Sequence, residues 1–103
     1  MAKLSLTPSP TFKTMVGIPV AGGKPVDVEF TFKHRTKDQL ATFLAERAGK
    51  TDIEGFLDMV TGWELEDPFN EESVTKLTQN YPGASLATFR VYIDELVQAK
   101  IKN

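Results

Sequence analysis

The most constraining feature of this chain is a pair of largely apolar runs that repeat every two residues and are separated by a glycine-containing turn. The apolar side chains occupy even positions from Phe12 to Val20 and again from Val26 to Phe32, with polar or charged residues at most odd positions. Period-two alternation places one set of side chains on a buried face and the other in solvent. Glycine tolerates positive φ, so residues 21–24 can reverse the chain. Residues 12–33 are therefore predicted to form an antiparallel β-hairpin whose even-numbered face is core.

A hairpin alone is marginally stable, and the remaining sequence supplies helices to cover it. The pattern predicts a first helix after the capping box Thr36–Gln39, with Gly49 as its C-terminal glycine. Asp52, Asn70 and Ser85 are predicted to start three more helices, the last running to about Lys100, with Lys100 and Lys102 at its C-terminal end. The predicted apolar stripes are Leu40, Phe43, Leu44 and Ala48; Ile53, Phe56, Leu57 and Val60, before Gly62; Val74, Leu77 and Tyr81; and Leu86, Phe89, Ile93, Leu96 and Val97.

The predicted fold class is α+β, with an N-terminal antiparallel β-hairpin, room for a third short strand, and about four α-helices packed on its apolar face. A length of 103 residues fits one domain. Within residues 1–103 we expect an arm at 1–11, the hairpin at 12–33 and a helical part at 36–101. The arm is either a short edge strand or an extended segment, because its prolines stop a long strand.

Composition argues against several classes of function. The formal net charge of −2 gives no basic face for nucleic acid, and no apolar run approaches the roughly 20 residues that span a bilayer. The chain has no cysteine and a single histidine, His34, with no convergent ligand set around it in the sequence. Gly22-Gly23 matches no phosphate-binding motif. We therefore expect no catalytic residue, no metal and no cofactor, and a structural or surface role for His34.

The stretch from Gly62 to Ala84 carries the candidate binding residues. It contains the only tryptophan and, between Glu64 and Asp67, a dense acidic segment. Its aromatic residues either close the core or anchor a partner, since large aromatics are usually buried but are also enriched at interfaces. We expect Trp63 to be largely buried and Phe69 to contact a basic amphipathic partner within an acidic rim. The candidate partner-binding residues are Phe69, Glu66, Asp67, Trp63 and Tyr81.

Several segments together resemble the small tail assembly chaperones of long-tailed bacteriophages and prophages. The opening TPSPTFKTMVGIPVAGGKPVDVEFTFKHRTKDQLATFL, the block GWELEDPFNEESVTKLTQNYPGA and the closing helix carry the resemblance, which covers nearly the whole chain. It implies a non-enzymatic protein of the host bacterial cytoplasm that is absent from the mature virion. The implied partners are the tape-measure protein, the tail-tube protein and further copies of the chain in a ring or spiral.

Two alternative functions remain beside this one. A bacterial adapter or regulatory module unrelated to tails could bind a protein through the same aromatic corner. A small hydrolase is the third alternative, and it would require a convergent polar pocket.

Overall fold

The computed structural model describes residues 3–97, which form a three-stranded antiparallel sheet and four helices. Strands β1 (Thr11–Ile18) and β2 (Val26–Lys33) form the predicted hairpin. Their register pairs even positions with even positions, so the apolar sets share one face. At the turn, Gly22 has φ 75° and the Gly23 N–H donates to the Val20 carbonyl at 3.0 Å. The alternation in the sequence therefore predicted both the hairpin and its buried face.

The third strand, β3 (Val60–Trp63), lies on the other side of β2 and not in the N-terminal arm. The apolar stripe predicts Val60 in the second helix, and this prediction is wrong. Helix α2 ends at Met59, and the chain continues as a strand of β-branched and aromatic residues that favour extended backbone. Val60 is buried in either arrangement, so the apolar pattern could not distinguish them. A register shift between Thr31 and Phe32 accommodates the strand.

The first two helices both begin with a capping box. Helix α1 (Lys37–Glu46) starts with the predicted Thr36–Gln39 box, and α2 (Asp52–Met59) starts with an equivalent one in which Thr51 and Glu54 cap each other. Asp52, which the sequence predicts as the N-cap of this helix, is instead its first helical residue, because Thr51 provides the cap. A 3₁₀ turn (Arg47–Gly49) follows α1, and Gly49 does not adopt the positive φ of a glycine cap.

Helices α3 (Glu71–Asn80) and α4 (Ala84–Val97) complete the fold. The Asn70 side chain accepts from the Ser73 N–H at 2.9 Å, which confirms the predicted start of α3. Helix α4 buries Ala84, Thr88 and Tyr92, a face rotated from the predicted stripe. Leu86 and Val97, which the stripe included, are exposed. Lys100 and Lys102 lie outside the described residues.

The core lies between the even face of the sheet and the helices. Phe30 packs edge-on against Phe56 at 5.7 Å, and Phe32 stacks with Tyr92 of α4 at 5.3 Å. Helix α1 reaches this core through Phe43. Residues 3–10 form neither helix nor strand, and all of them are exposed. The buried apolar residues are Val16, Ile18, Phe30, Phe32, Phe43, Phe56, Met59, Val60, Val74, Ala84 and Tyr92.

Candidate partner-binding surface

The aromatic corner is built where β3 leaves the sheet. The Trp63 ring packs on Phe30 at 6.1 Å and meets the Phe69 ring edge-on at 5.0 Å. Its Nε1–H donates to the Asp67 carbonyl at 2.8 Å, which holds the loop between β3 and α3 in a tight turn. Trp63 is half-buried and packs against the core at the edge of the sheet.

Four of the five candidate residues line one cleft, of about 340 Å³, between this loop and α3. Trp63 and Tyr81 provide aromatic walls, and Glu66 and Asp67 lie at the rim. Phe69 does not line the cleft but lies against the Trp63 ring. We call this site the acidic cleft; its lining residues are Trp63, Leu65, Glu66, Asp67, Ser73, Lys76, Leu77, Asn80 and Tyr81.

The acidic cleft combines exposed apolar side chains with an excess of negative charge. Leu65 and Tyr81 are each 38% exposed, and Glu66 and Asp67 are exposed as well. Lys76 is the one basic side chain among the lining residues. Burial of the apolar floor by a ligand stabilises the complex, and the acidic rim attracts basic segments. Such an arrangement favours a basic amphipathic segment as ligand.

A second, more apolar depression of about 170 Å³ adjoins the acidic cleft at the turn end of the hairpin. The helices cover this end of the even face only in part: Ile18 is buried, whereas Val26 is 55% exposed. We call it the hairpin-tip groove; its lining residues are Ile18, Val20, Val26, Val28, Leu65, Leu77 and Tyr81. The last three also line the acidic cleft, so the two sites share a wall.

Sequence reasoning missed the groove because it assumed that helices cover the whole even face. A signal was available in Val20 and Val26, which continue the apolar alternation up to the turn itself. Gly83, in the turn between α3 and α4, lies close to Pro19 at the end of the hairpin. A Cβ on residue 83 would be 3.1 Å from Cγ of Pro19, which is tighter than normal contact. Glycine thus lets the turn between α3 and α4 press against the hairpin end and positions Tyr81 at the groove.

Two carboxylates meet on the solvent side of the β2–β3 pair. The Glu64 N–H donates to the Glu29 carbonyl at 3.2 Å, and the two side chains interact directly. A hydrogen bond with Glu64 raises the pKa of the Glu29 carboxyl above its ordinary value of 4.5, with partial desolvation and Glu64 charge acting in the same direction. Lys13 opposes the rise. The negative field at this edge of the sheet therefore increases with pH.

The described residues hold no group of three or more His, Cys, Asp or Glu side chains placed to bind a metal ion. The backbone N–H of His34 donates to the Pro10 carbonyl at 2.8 Å, which ties the C-terminal end of the arm to the sheet. Lys50 pairs with Asp58, which raises the pKa of the Lys50 ammonium group.

Within residues 3–97, no helix has the length and apolar character needed to cross a membrane.

These features define a small α+β protein whose open surface, an apolar cleft with an acidic rim, is suited to binding another protein. The model of the phage tail assembly chaperone family matches residues 1–103, the whole chain, and the chain belongs to this family. No match was found among curated proteins or among solved structures. The family membership confirms the resemblance and places the chain in tail assembly, in contrast to the alternative of an adapter unrelated to tails.

Proposed function

We propose that this chain is a non-enzymatic assembly chaperone that binds the tape-measure protein and helps recruit tail-tube subunits around it. It acts in the cytoplasm of the host bacterium, associates with further copies of itself and is absent from the mature virion. Family membership supports the role in tail assembly. The single structural observation that carries the proposal is the acidic cleft, which leaves apolar side chains open beside exposed acidic groups.

A tape-measure protein is long and helical, so its apolar stripes need a cover before the tube encloses them. The acidic cleft suits a short amphipathic helical segment with basic residues beside its apolar stripe. Burial of the apolar stripe supplies affinity, and the rim governs steering and register. Repetition of the contact along the tape-measure protein would keep that protein soluble while tube subunits arrive.

The candidate residues have different roles in this proposal. Tyr81 contacts the ligand, because its ring stands at the shared wall and is partly exposed. Glu66 and Asp67 attract basic side chains. Trp63 forms the inner wall of the cleft. Phe69 contributes to binding indirectly, because its contact with the Trp63 ring holds that ring in place.

Co-expression with the tape-measure protein of the same phage tests the proposal. Wild-type chain should co-purify with it and hold it in the soluble fraction. Tyr81→Ser should lower the affinity by about thirtyfold, the loss of an aromatic interface anchor worth about 2 kcal/mol. Thermal unfolding of Tyr81→Ser should remain close to wild type, because the ring is exposed at the end of α3.

Charge reversal gives a matched control. Glu66→Lys should slow association and weaken its dependence on salt, because the rim charge steers the encounter. Glu46→Lys, which changes an exposed glutamate of α1 in the same way, should leave binding unchanged. Equal effects of the two variants, or no complex with wild-type chain, would show that the acidic cleft is not the binding site.

A further inference from the structure

The N-terminal arm exposes apolar side chains with no cover of their own. Leu4 is 81% exposed and Leu6 is 91% exposed, the highest values among the large hydrophobic side chains that the structure describes. Ser5 Oγ donates to the Thr7 carbonyl at 2.9 Å and accepts from the Thr7 N–H, which forms a local turn that holds Leu6 outward. Pro8 and Pro10 keep the following segment extended. An exposed pair of leucines on a stiff arm is costly in water and favours a binding partner.

The hairpin-tip groove offers a surface of matching chemistry. Its walls are aliphatic side chains of the hairpin end together with Leu65, Leu77 and Tyr81. The charges also match, because Lys3 is the only charged side chain of the described arm and the shared wall borders the acidic cleft. With its leucine side chains in the groove, the arm would bury apolar surface on both sides of the contact. Lys3 would then lie near Glu66 and Asp67, whose charge is opposite to its own.

The arm is poorly placed to fill the groove of its own chain. It joins the sheet at Thr11, whereas the groove is centred near Ile18 at the opposite end of β1. Seven strand residues separate these ends by about 23 Å. The five residue-to-residue steps from Leu6 to Thr11 span at most about 18 Å, so Leu6 cannot reach that end of the strand, and the chain would also have to turn back on itself.

We propose that the hairpin-tip groove binds the N-terminal arm of a second copy of the chain, with Leu4 and Leu6 in the groove and Lys3 toward the acidic rim. The inference rests on the self-association included in the proposed function and assigns a contact surface to it. The contact is head-to-tail, because arm and groove lie at opposite ends of β1. A contact of this kind continues from copy to copy until it closes into a ring or extends as a helix.

Site-directed cross-linking of the chain alone tests this contact, and no native cysteine interferes. Leu6→Cys and Tyr81→Cys variants are purified separately, mixed and oxidised. We expect a disulfide between the two chains to form at least about tenfold faster than in the control mixture of Leu6→Cys with Leu44→Cys, because the bound arm has a high effective concentration at the groove. Leu44 is 44% exposed on α1 and lies outside the groove, so it matches Tyr81 in accessibility.

Sedimentation over a range of concentrations gives the second measurement. Leu6→Asp should weaken self-association at least about tenfold, since a charge cannot enter the apolar groove without a large desolvation cost. Leu44→Asp should not. Both variants should keep the wild-type unfolding transition, because both positions are exposed.

Three results would overturn the proposal: equal cross-linking in the two mixtures, a monomeric wild-type chain at high concentration, or closure within a single chain that carries both Leu6→Cys and Tyr81→Cys. Because the tape-measure protein is absent from these experiments, their failure is distinct from failure of tape-measure binding. A chain that binds the tape-measure protein and sediments as a monomer would refute the arm contact alone.

Discussion

Tyr92 connects more of the fold than any other single side chain described above. Its hydroxyl donates to the Lys33 carbonyl and accepts from Arg35 Nη1, both at 2.8 Å, and its ring meets Phe43 edge-on at 5.7 Å. Arg35 extends the network by donating to the Asp58 carbonyl at 2.7 Å. Burial raises the pKa of the Tyr92 hydroxyl, while Arg35 opposes the rise. One residue of α4 therefore joins the end of β2, α1 and α2.

Tyr92→Phe should lower the free energy of unfolding by about 1–2 kcal/mol, because the Lys33 carbonyl and the Arg35 guanidinium each lose a partner in a partly buried site. Urea denaturation measures the change. Tyr81→Phe removes the same atom from an exposed ring and should have little effect. A loss of similar size in both variants would contradict the role assigned to the Tyr92 hydroxyl.

The Glu29–Glu64 contact should make stability depend on pH. Because folding raises the pKa of Glu29, the folded state binds its proton more tightly than the unfolded state. This contribution is fully present below pH 4.5, the ordinary value, and is lost as pH rises through the raised pKa. At pH 7 the two ionised side chains repel each other.

Glu64→Gln removes this repulsion and keeps a hydrogen-bonding side chain, so it should raise the urea midpoint at pH 7. The gain should shrink as pH falls toward 4. Glu66→Gln changes the net charge equally and is the control, since Glu66 does not contact Glu29 in the described interactions. Identical pH profiles for the two variants would count against a coupled pair.

At the scale of elements, local patterns predicted the hairpin, its even-numbered face and the caps of α1 and α3. These features depend on neighbouring residues, which a single sequence displays directly. The buried face of α4 was not predictable in the same way. Its members Ala84, Thr88 and Tyr92 have helical spacing, but a hydroxyl and a phenol do not appear as an apolar stripe. Tertiary partners, above all Phe32 and Arg35, decide that this face is the buried one.

The candidate surface shows the same division. The sequence brought Trp63, Glu66, Asp67 and Tyr81 together as one cluster, and they line one cleft. It did not separate Phe69, whose position follows from a ring contact with Trp63. The hairpin-tip groove depends on how far the helices reach along the sheet. The alternation up to Val20 and Val26 shows apolar side chains at that end, but it does not show whether a helix covers them.

The two faces of β2 should differ strongly in their tolerance of truncation. Phe30 is completely buried and contacts Phe56 and Trp63, so Phe30→Ala should cost about 3–5 kcal/mol through lost burial and the resulting cavity. Thr31→Ala, on the opposite face, should change stability little, because its hydrogen bond with Thr61 uses the Thr31 backbone carbonyl. Equal shifts in the urea midpoint would mean that the faces have been assigned incorrectly.

At the scale of the whole molecule, the two proposed contacts are adjacent but chemically distinct. The acidic cleft faces a basic amphipathic partner, and the hairpin-tip groove receives an apolar arm. Tyr81 belongs to both sites, so a ligand in one changes the surface presented to a ligand in the other. Self-association and tape-measure binding should therefore influence each other's affinity by the same factor.

The contact of the last described helix, α4, with the first strand, β1, has a consequence for how the chain folds as it is synthesised. The hairpin leaves the ribosome before the helices, but two strands alone are marginally stable. The part of its apolar face at Phe12 and Phe32 stays without its ring partner until Tyr92 has been translated. Pairing between distant parts of a chain is slow compared with local helix formation. The capping boxes of α1 and α2 can nucleate helices early, yet the complete core can close only after almost all of the chain has been translated. During that interval the nascent hairpin is the segment most exposed to aggregation.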